Sequence, residues 1–290
     1  AVHAAVAGNK LTLQGKSFVA VFDTKNGILS SYRLNGLSMI ENGPKPGFYR
    51  APTDNDIGAG LNQSLRNWRN VYDKTEVADS KLEQVNANEY KVTFTKRMLD
   101  GQARTIQVFT VYGDGSIHVS NNFEVQKGDY ETLMRIGNNL ELNKQLGTIQ
   151  WYGRGPWENY WDRKYAAEVG LYKQTLAQQY FPYARPQESG NKTDVRWATF
   201  TNEKGKGIKI EFADSLLSVS ALPYDIDDLD PAPQKAQYHS GELVQRDRTY
   251  MHIDLLQLGV QGIDSWGAMP MKKYWIRPGG YSYSYWIRPL

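Results

Sequence analysis

Glu158 and Asp162 stand four residues apart in YGRGPWENYWDRK (152–164), among Tyr152, Trp157, Tyr160 and Trp161 and beside Arg154, Arg163 and Lys164. Carboxylates next to large rings suit sugar cleavage, because ring faces stack on pyranose faces and two carboxyl groups supply the acid, base or nucleophile. On a helix the two would lie about 5–6 Å apart, inside the range of a retaining glycosidase. Neighbours on one helical face, however, approach a scissile bond from the same side. The adjoining cations also hold carboxylates ionised, where a catalytic acid needs its pKa raised. The pattern therefore reads as a salt-bridged corner at a strand end rather than a catalytic pair. Gly153-Arg154-Gly155 fails as a dinucleotide fingerprint, since Glu158 occupies the third glycine position and no βαβ unit surrounds it.

Three further groups could carry chemistry. APTDNDIGAG (51–60) holds Asp54, Asn55 and Asp56, and DIDDLDPAP (225–233) holds Asp225, Asp227, Asp228 and Asp230. Against a calcium-loop template the second stretch breaks down at Leu229, Asp230 and Ala236, which favours Asx-turn and helix-capping roles over a metal site. His118 shares a strand face with Ser120, and His252 with Asp254; both read as surface or satisfied positions, although a sugar epimerase would need such a His and carboxylate pair. In GVQGIDSWGAMP (259–270), Trp266 sits on a Gly-flanked loop that holds its ring out of any strand face, where it can meet a sugar or a partner domain.

The elements that must position these residues are strands. Period-2 alternation or β-branched and aromatic runs occur at 17–23, 89–97, 103–112, 116–125, 207–214, 216–222 and 250–259. Asn26-Gly27, Asn35-Gly36, Asp100-Gly101 and Asp114-Gly115 mark tight turns between runs. Only 61–72 and 158–172 look helical, and neither recurs in the order a parallel sheet requires. The repeated YWIRP at 274–278 and 285–289 predicts a terminal hairpin around PGGY. On the order of 15 to 18 strands fit this length, suited to two large, mostly antiparallel sheets packed face to face as one all-β domain spanning 1–290.

Composition narrows the function. Net charge is +3, from 34 basic and 31 acidic residues with the signs interspersed, which argues against a nucleic-acid partner. The absence of Cys excludes disulfides, thiolate metal sites and Cys nucleophiles. No apolar run approaches the roughly 18 residues that would cross a membrane as a helix. AVHAAVAGNK reads as a start excised from something longer, and the compartment stays open.

Four stretches, RAPTDNDIG (50–58), YGRGPWENYWDRK (152–164), YARPQESGNKTDVRW (183–197) and GVQGIDSWG (259–267), resemble in order and separation the C-terminal domain of bacterial β-galactosidases of glycoside hydrolase family 2, their small chain or fifth domain. The resemblance covers nearly the whole chain beyond the first ten residues. It implies a galactose mutarotase-like supersandwich, a C-terminal piece of an enzyme that hydrolyses terminal β-D-galactosides with retention. It further implies that both catalytic Glu residues and the magnesium and sodium ligands lie on an upstream (β/α)₈ barrel, leaving this chain no catalytic residue, metal or cofactor. Trp266 would line the galactoside pocket. Asp264, Ser265, Arg50, Asp54, Asn55, Arg154, Glu158 and Asn159 would shape its edge or the faces that dock on the barrel and other domains of a homo-oligomeric parent. The loop departs from the family where Gln261, Gly262 and Ile263 replace a common Gly-Gly-Asp. A free-standing aldose mutarotase or epimerase and a galactose-binding module are the rival readings.

Overall fold

Alternation along the chain becomes strands that bury one face: Glu89–Met98 turns Tyr90, Val92, Phe94, Lys96 and Met98 inward and leaves the residues between them partly or wholly in solvent. The computed structural model describes residues 1–290 apart from Lys127, Asp129, Ala213, 233–236, Gln261 and Ser265, and without the side chain of Asp73. Among the described residues 18 strands form two nine-stranded sheets in which every neighbouring pair is antiparallel. The first sheet runs His3–Ala7, Lys10–Gln14, Phe18–Asp23, Ile28–Leu34, Leu37–Gly47, Arg135–Asn143, Arg248–Gln257, Leu217–Leu222, Lys192–Val195. The second runs Glu168–Thr175, Thr148–Gly155, Trp197–Thr201, Gly207–Glu211, Gly280–Pro289, Ile117–Val125, Ala103–Tyr112, Glu89–Met98, Thr75–Asn86.

The sheets stack through aromatic side chains. Phe22 of the first sheet meets Phe94 and Phe109 of the second at 6.3 and 5.3 Å between centroids. Burying each such ring contributes about 1.5–3 kcal/mol. Polar links also join the sheets: Tyr285 Oη donates to Asn138 Oδ1 at 2.9 Å, and Tyr32 Oη to the Gly115 carbonyl at 2.6 Å. The Asn35-Gly36 turn behaves as its residues predict: φ is 48° and 82°, the pair of left-handed conformations that a two-residue hairpin loop needs.

Three local expectations fail in whole or in part. The 61–72 segment keeps its apolar face, with Leu61, Leu65, Trp68 and Val71 all buried, but it divides into Leu61–Ser64, Arg66–Arg69 and a 3₁₀ turn at Val71–Lys74. The 158–172 segment is not helical at all. Asn159 exchanges backbone and side-chain bonds with Asn191 and Thr193, diverting the groups a helix would need, and Glu168–Thr175 is an edge strand. Nor do the YWIRP copies pair with each other: Gly280–Pro289 lies between Ile117–Val125 and Gly207–Glu211, while Ile276 bridges to Leu133.

On Arg135–Asn143 the odd-numbered residues point away from the second sheet, yet short helices and loops cover that outer face and bury charge on it. Arg135 forks onto Asp254, with contacts of 2.5 to 3.2 Å and both groups out of solvent. Gly137 stands opposite Asp254 beside a register shift, and a Cβ there would fall 1.9 Å from Asp254 Oδ1 and 2.6 Å from the Ile253 carbonyl. The prediction is that Gly137→Ala displaces the carboxylate, loosens the buried pair and lowers unfolding free energy by about 2–4 kcal/mol. Urea denaturation checks this, and a change within about 0.5 kcal/mol of wild type would contradict it.

Candidate functional site

The four sequence stretches, scattered over more than 200 residues, meet around one polar cavity of about 120 Å³. Thr53, Asp54 and Asn55 come from the first, Tyr160 and Arg163 from the second, Tyr183, Gln187 and Glu188 from the third, and Val260 from the fourth. The first stretch enters as a capped helix turn: Thr53 and Asp56 close a capping box at the head of Asp54–Gly58. Asp56 also receives Arg50 Nε and Nη2 at 2.9 and 2.8 Å, and the same guanidinium donates to the carbonyls of Leu258 and Gly259 at 2.5 and 3.2 Å. Asn55 Nδ2 reaches the Val260 carbonyl at 2.9 Å, and Asp162 accepts from the Val260 amide at 3.0 Å. Asp54 accepts from Arg185 and Gln187 at 3.2 and 3.1 Å. The segments on either side of the cavity are thus bonded to one another.

The carboxylates of 152–164 belong to this scaffold. Glu158 Oε2 accepts from the Gly190 amide at 2.8 Å, and Oε1 from Arg163 at 3.0 Å and from Tyr183 Oη. Arg154 donates to Asp194 at 2.6 Å and to the Ala167 carbonyl at 2.7 Å, outside the cavity wall, and Asn159 holds Thr193. Asp225 is the N-cap of Ile226–Leu229, with Asp228 completing a capping box. His118 packs 4.7 Å from the Trp286 ring, while His252 Nδ1 lies 2.9 Å from Arg135 Nη1, so neither histidine faces this cavity.

Trp266 does not line the cavity either. It stands 87% exposed on the loop that follows Val260, its amide donating to Asp264 Oδ1 at 2.8 Å. The loop base packs so closely that a Cβ on Gly262 would sit 3.1 Å from Asn55 Nδ2. Ser265, the remaining candidate of this loop, lies outside the described residues. Sequence reasoning missed Tyr160, Gln187 and Glu188 as wall residues. Their signal, polar groups destined for burial, depends on partners far along the chain. The Tyr160 hydroxyl is buried with no protein hydrogen-bond partner among the described residues, so the wall offers a polar group that a water or a ligand hydroxyl can complete.

The stacked antiparallel sheets have a galactose mutarotase-like fold. Galactose 1-epimerase from Lactobacillus acidophilus NCFM superposes with a TM-score of 0.51 at 6% identity, covering 100% of this chain and 98% of that one, a likeness of fold alone. Residues 14–287 match the model of the β-galactosidase small chain, and the chain belongs to that family. A β-galactosidase of Priestia megaterium is 34% identical over 282 residues, 97% of this chain and 26% of that protein. One of Lactobacillus delbrueckii subsp. bulgaricus is 33% identical over 258 residues, 89% of this chain and 25% of that protein. The chain spans about a quarter of the length of these relatives.

Burial pushes the Glu188 pKa up to about 7, against the opposing pull of Arg135 and Arg50. The unfolded chain releases this proton near the ordinary glutamate value and the folded chain only near 7, so stability falls as pH rises through that window and the penalty is complete above it. Glu188→Gln removes the penalty. Relative to wild type the variant is predicted to gain about 2–3 kcal/mol between about pH 5 and about pH 8. Denaturant unfolding at both pH values tests this, and a difference independent of pH would refute it.

Proposed function

We propose that this chain is the last, non-catalytic domain of a glycoside hydrolase family 2 β-galactosidase, a single supersandwich that docks on the catalytic (β/α)₈ barrel and completes the galactoside pocket with Trp266. The observation that carries this reading is the exposed Trp266 ring on a loop tied, through Val260, to the cavity where the four family stretches converge. An indole kept in water adds little to the fold that bears it, and gains value by stacking on a sugar or a neighbouring domain. The share of its relatives that the chain covers supports a parent with further domains. In this reading the catalytic Glu residues and the magnesium and sodium ligands belong to those domains, and the parent assembles as a homo-oligomer. The donors already held by Glu158 and Asp162 support an architectural role for both.

Stacking of this kind contributes roughly 0.5–1.5 kcal/mol beyond burial, so the parent enzyme carrying Trp266→Ala is predicted to show a KM for a nitrophenyl β-galactoside raised about 2- to 12-fold. The 290-residue chain alone is predicted to show no turnover. An unchanged KM with unchanged transfer to acceptors would sink the platform role. Turnover by the chain alone, abolished by Glu158→Gln, would overturn the non-catalytic assignment.

A further inference from the structure

The outer face of the first sheet carries a second cavity, of about 150 Å³, that shares no lining residue with the one beside Glu188. Strand Arg135–Asn143 presents Asn139 and Glu141 to it. The register sets these two opposite Lys45 and Asn42 on one neighbouring strand and opposite His252 and Tyr250 on the other. Six polar side chains therefore form a grid over three strands, about 10 Å across two inter-strand gaps and about 7 Å along one two-residue step. Trp68, Val71 and Tyr72 roof it, with Lys45 Nζ 5.2 Å from the Tyr72 ring centroid.

The grid's internal bonding leaves capacity for a ligand. Asn42 Nδ2 donates to Glu141 Oε1 at 2.9 Å, Lys45 Nζ lies 3.9 Å from that same oxygen, and the Asn139 carboxamide is 2.8 Å from His252 Nδ1. Donors and acceptors alternate, and the opposite charges of Lys45 and Glu141 balance. Arg69, also in the lining, is matched by Asp227 and Asp230, and Asp225, the remaining carboxylate of the lining, accepts from the Asp227 amide at 2.9 Å and is offset by the charge of Arg246. An anion or a cation would leave one member of these pairs uncompensated, whereas a neutral ligand would not. The space holds on the order of ten waters, and mixed polar walls beside aromatic rings suit a ring that has hydroxyls on its edge and C–H groups on its face.

We propose that this cavity binds a neutral polyhydroxylated ring of monosaccharide size, its hydroxyls on the grid and one face toward Tyr72. The site is distinct from any galactoside pocket completed by Trp266. NMR titration of the 290-residue chain with D-galactose and with D-glucose tests it, beside galacturonate and glucosamine as charged counterparts. At least one neutral sugar should saturate with a Kd on the order of 1–10 mM. Binding should weaken roughly tenfold or more in Asn139→Ala with Glu141→Gln. Should the double variant unfold, Lys45→Met, at a partly exposed position, replaces it with the same expectation. Failure of both neutral sugars to saturate by about 100 mM, binding that survives the grid variants, or a charged sugar that binds more tightly than its neutral counterpart would overturn the proposal.

Discussion

The guanidinium of Arg50 is the joint on which the site's geometry depends. It is buried, forked onto Asp56 of the adjoining helix turn, and bonded through its remaining reach to the carbonyls of Leu258 and Gly259, some 200 residues along the chain. Such a pair adds little net stability, since desolvating both charges offsets most of their attraction. Its value is registry. A planar cation with a fixed fork accepts only one arrangement of its partners, so the capped helix turn and the turn that launches the Trp266 loop are set against each other.

A similar logic governs the outer face of the first sheet. Strands with alternating polar residues ordinarily give that face to water. Here Arg135, Asp254, His252 and Glu188 lie beneath the segments that cross it, and each charge has a partner or an altered proton affinity. Arg135 anchors Asp254 and His252 at once, while burial together with Arg135 pushes the His252 pKa well below its usual value. Gly137 supplies the clearance that lets Asp254 approach its strand neighbour. The layer is costly to bury and tolerates few arrangements, which suits a surface whose purpose is to hold loops in place.

Several large rings and aliphatic side chains nevertheless stay in solvent. Beyond Trp266, Trp157 is 72% exposed, Tyr165 83% and Leu171 60%, and the last lies on the Glu168–Thr175 edge strand. A free-standing domain gains nothing from such a surface and risks association through it, whereas in the proposed reading the other domains of the parent would cover it. The reading of the chain as one part of a larger galactosidase and the distribution of its exposed rings are in that sense one argument.

Much of this was legible in the residues themselves. Alternation marked the strands, Asn35-Gly36 marked its hairpin, and the glycines around Trp266 marked a projecting loop. These are local properties, decided by steric preference and by which side of a pleat meets the core. The 158–172 segment was misread as helical because what decides it, bonding between Asn159 and residues 191–193, is not local. Glu158 and Asp162 drew notice as a chemical pair, yet each is held by an amide from a different distant turn. Sequence by itself determined the two-sheet class and the four stretches that identify the family. Only the tertiary structure decided that those stretches share one cavity, and that Glu188 titrates near 7 there, because proton affinity and hydrogen bonding depend on burial and neighbours that exist only once the chain has closed on itself.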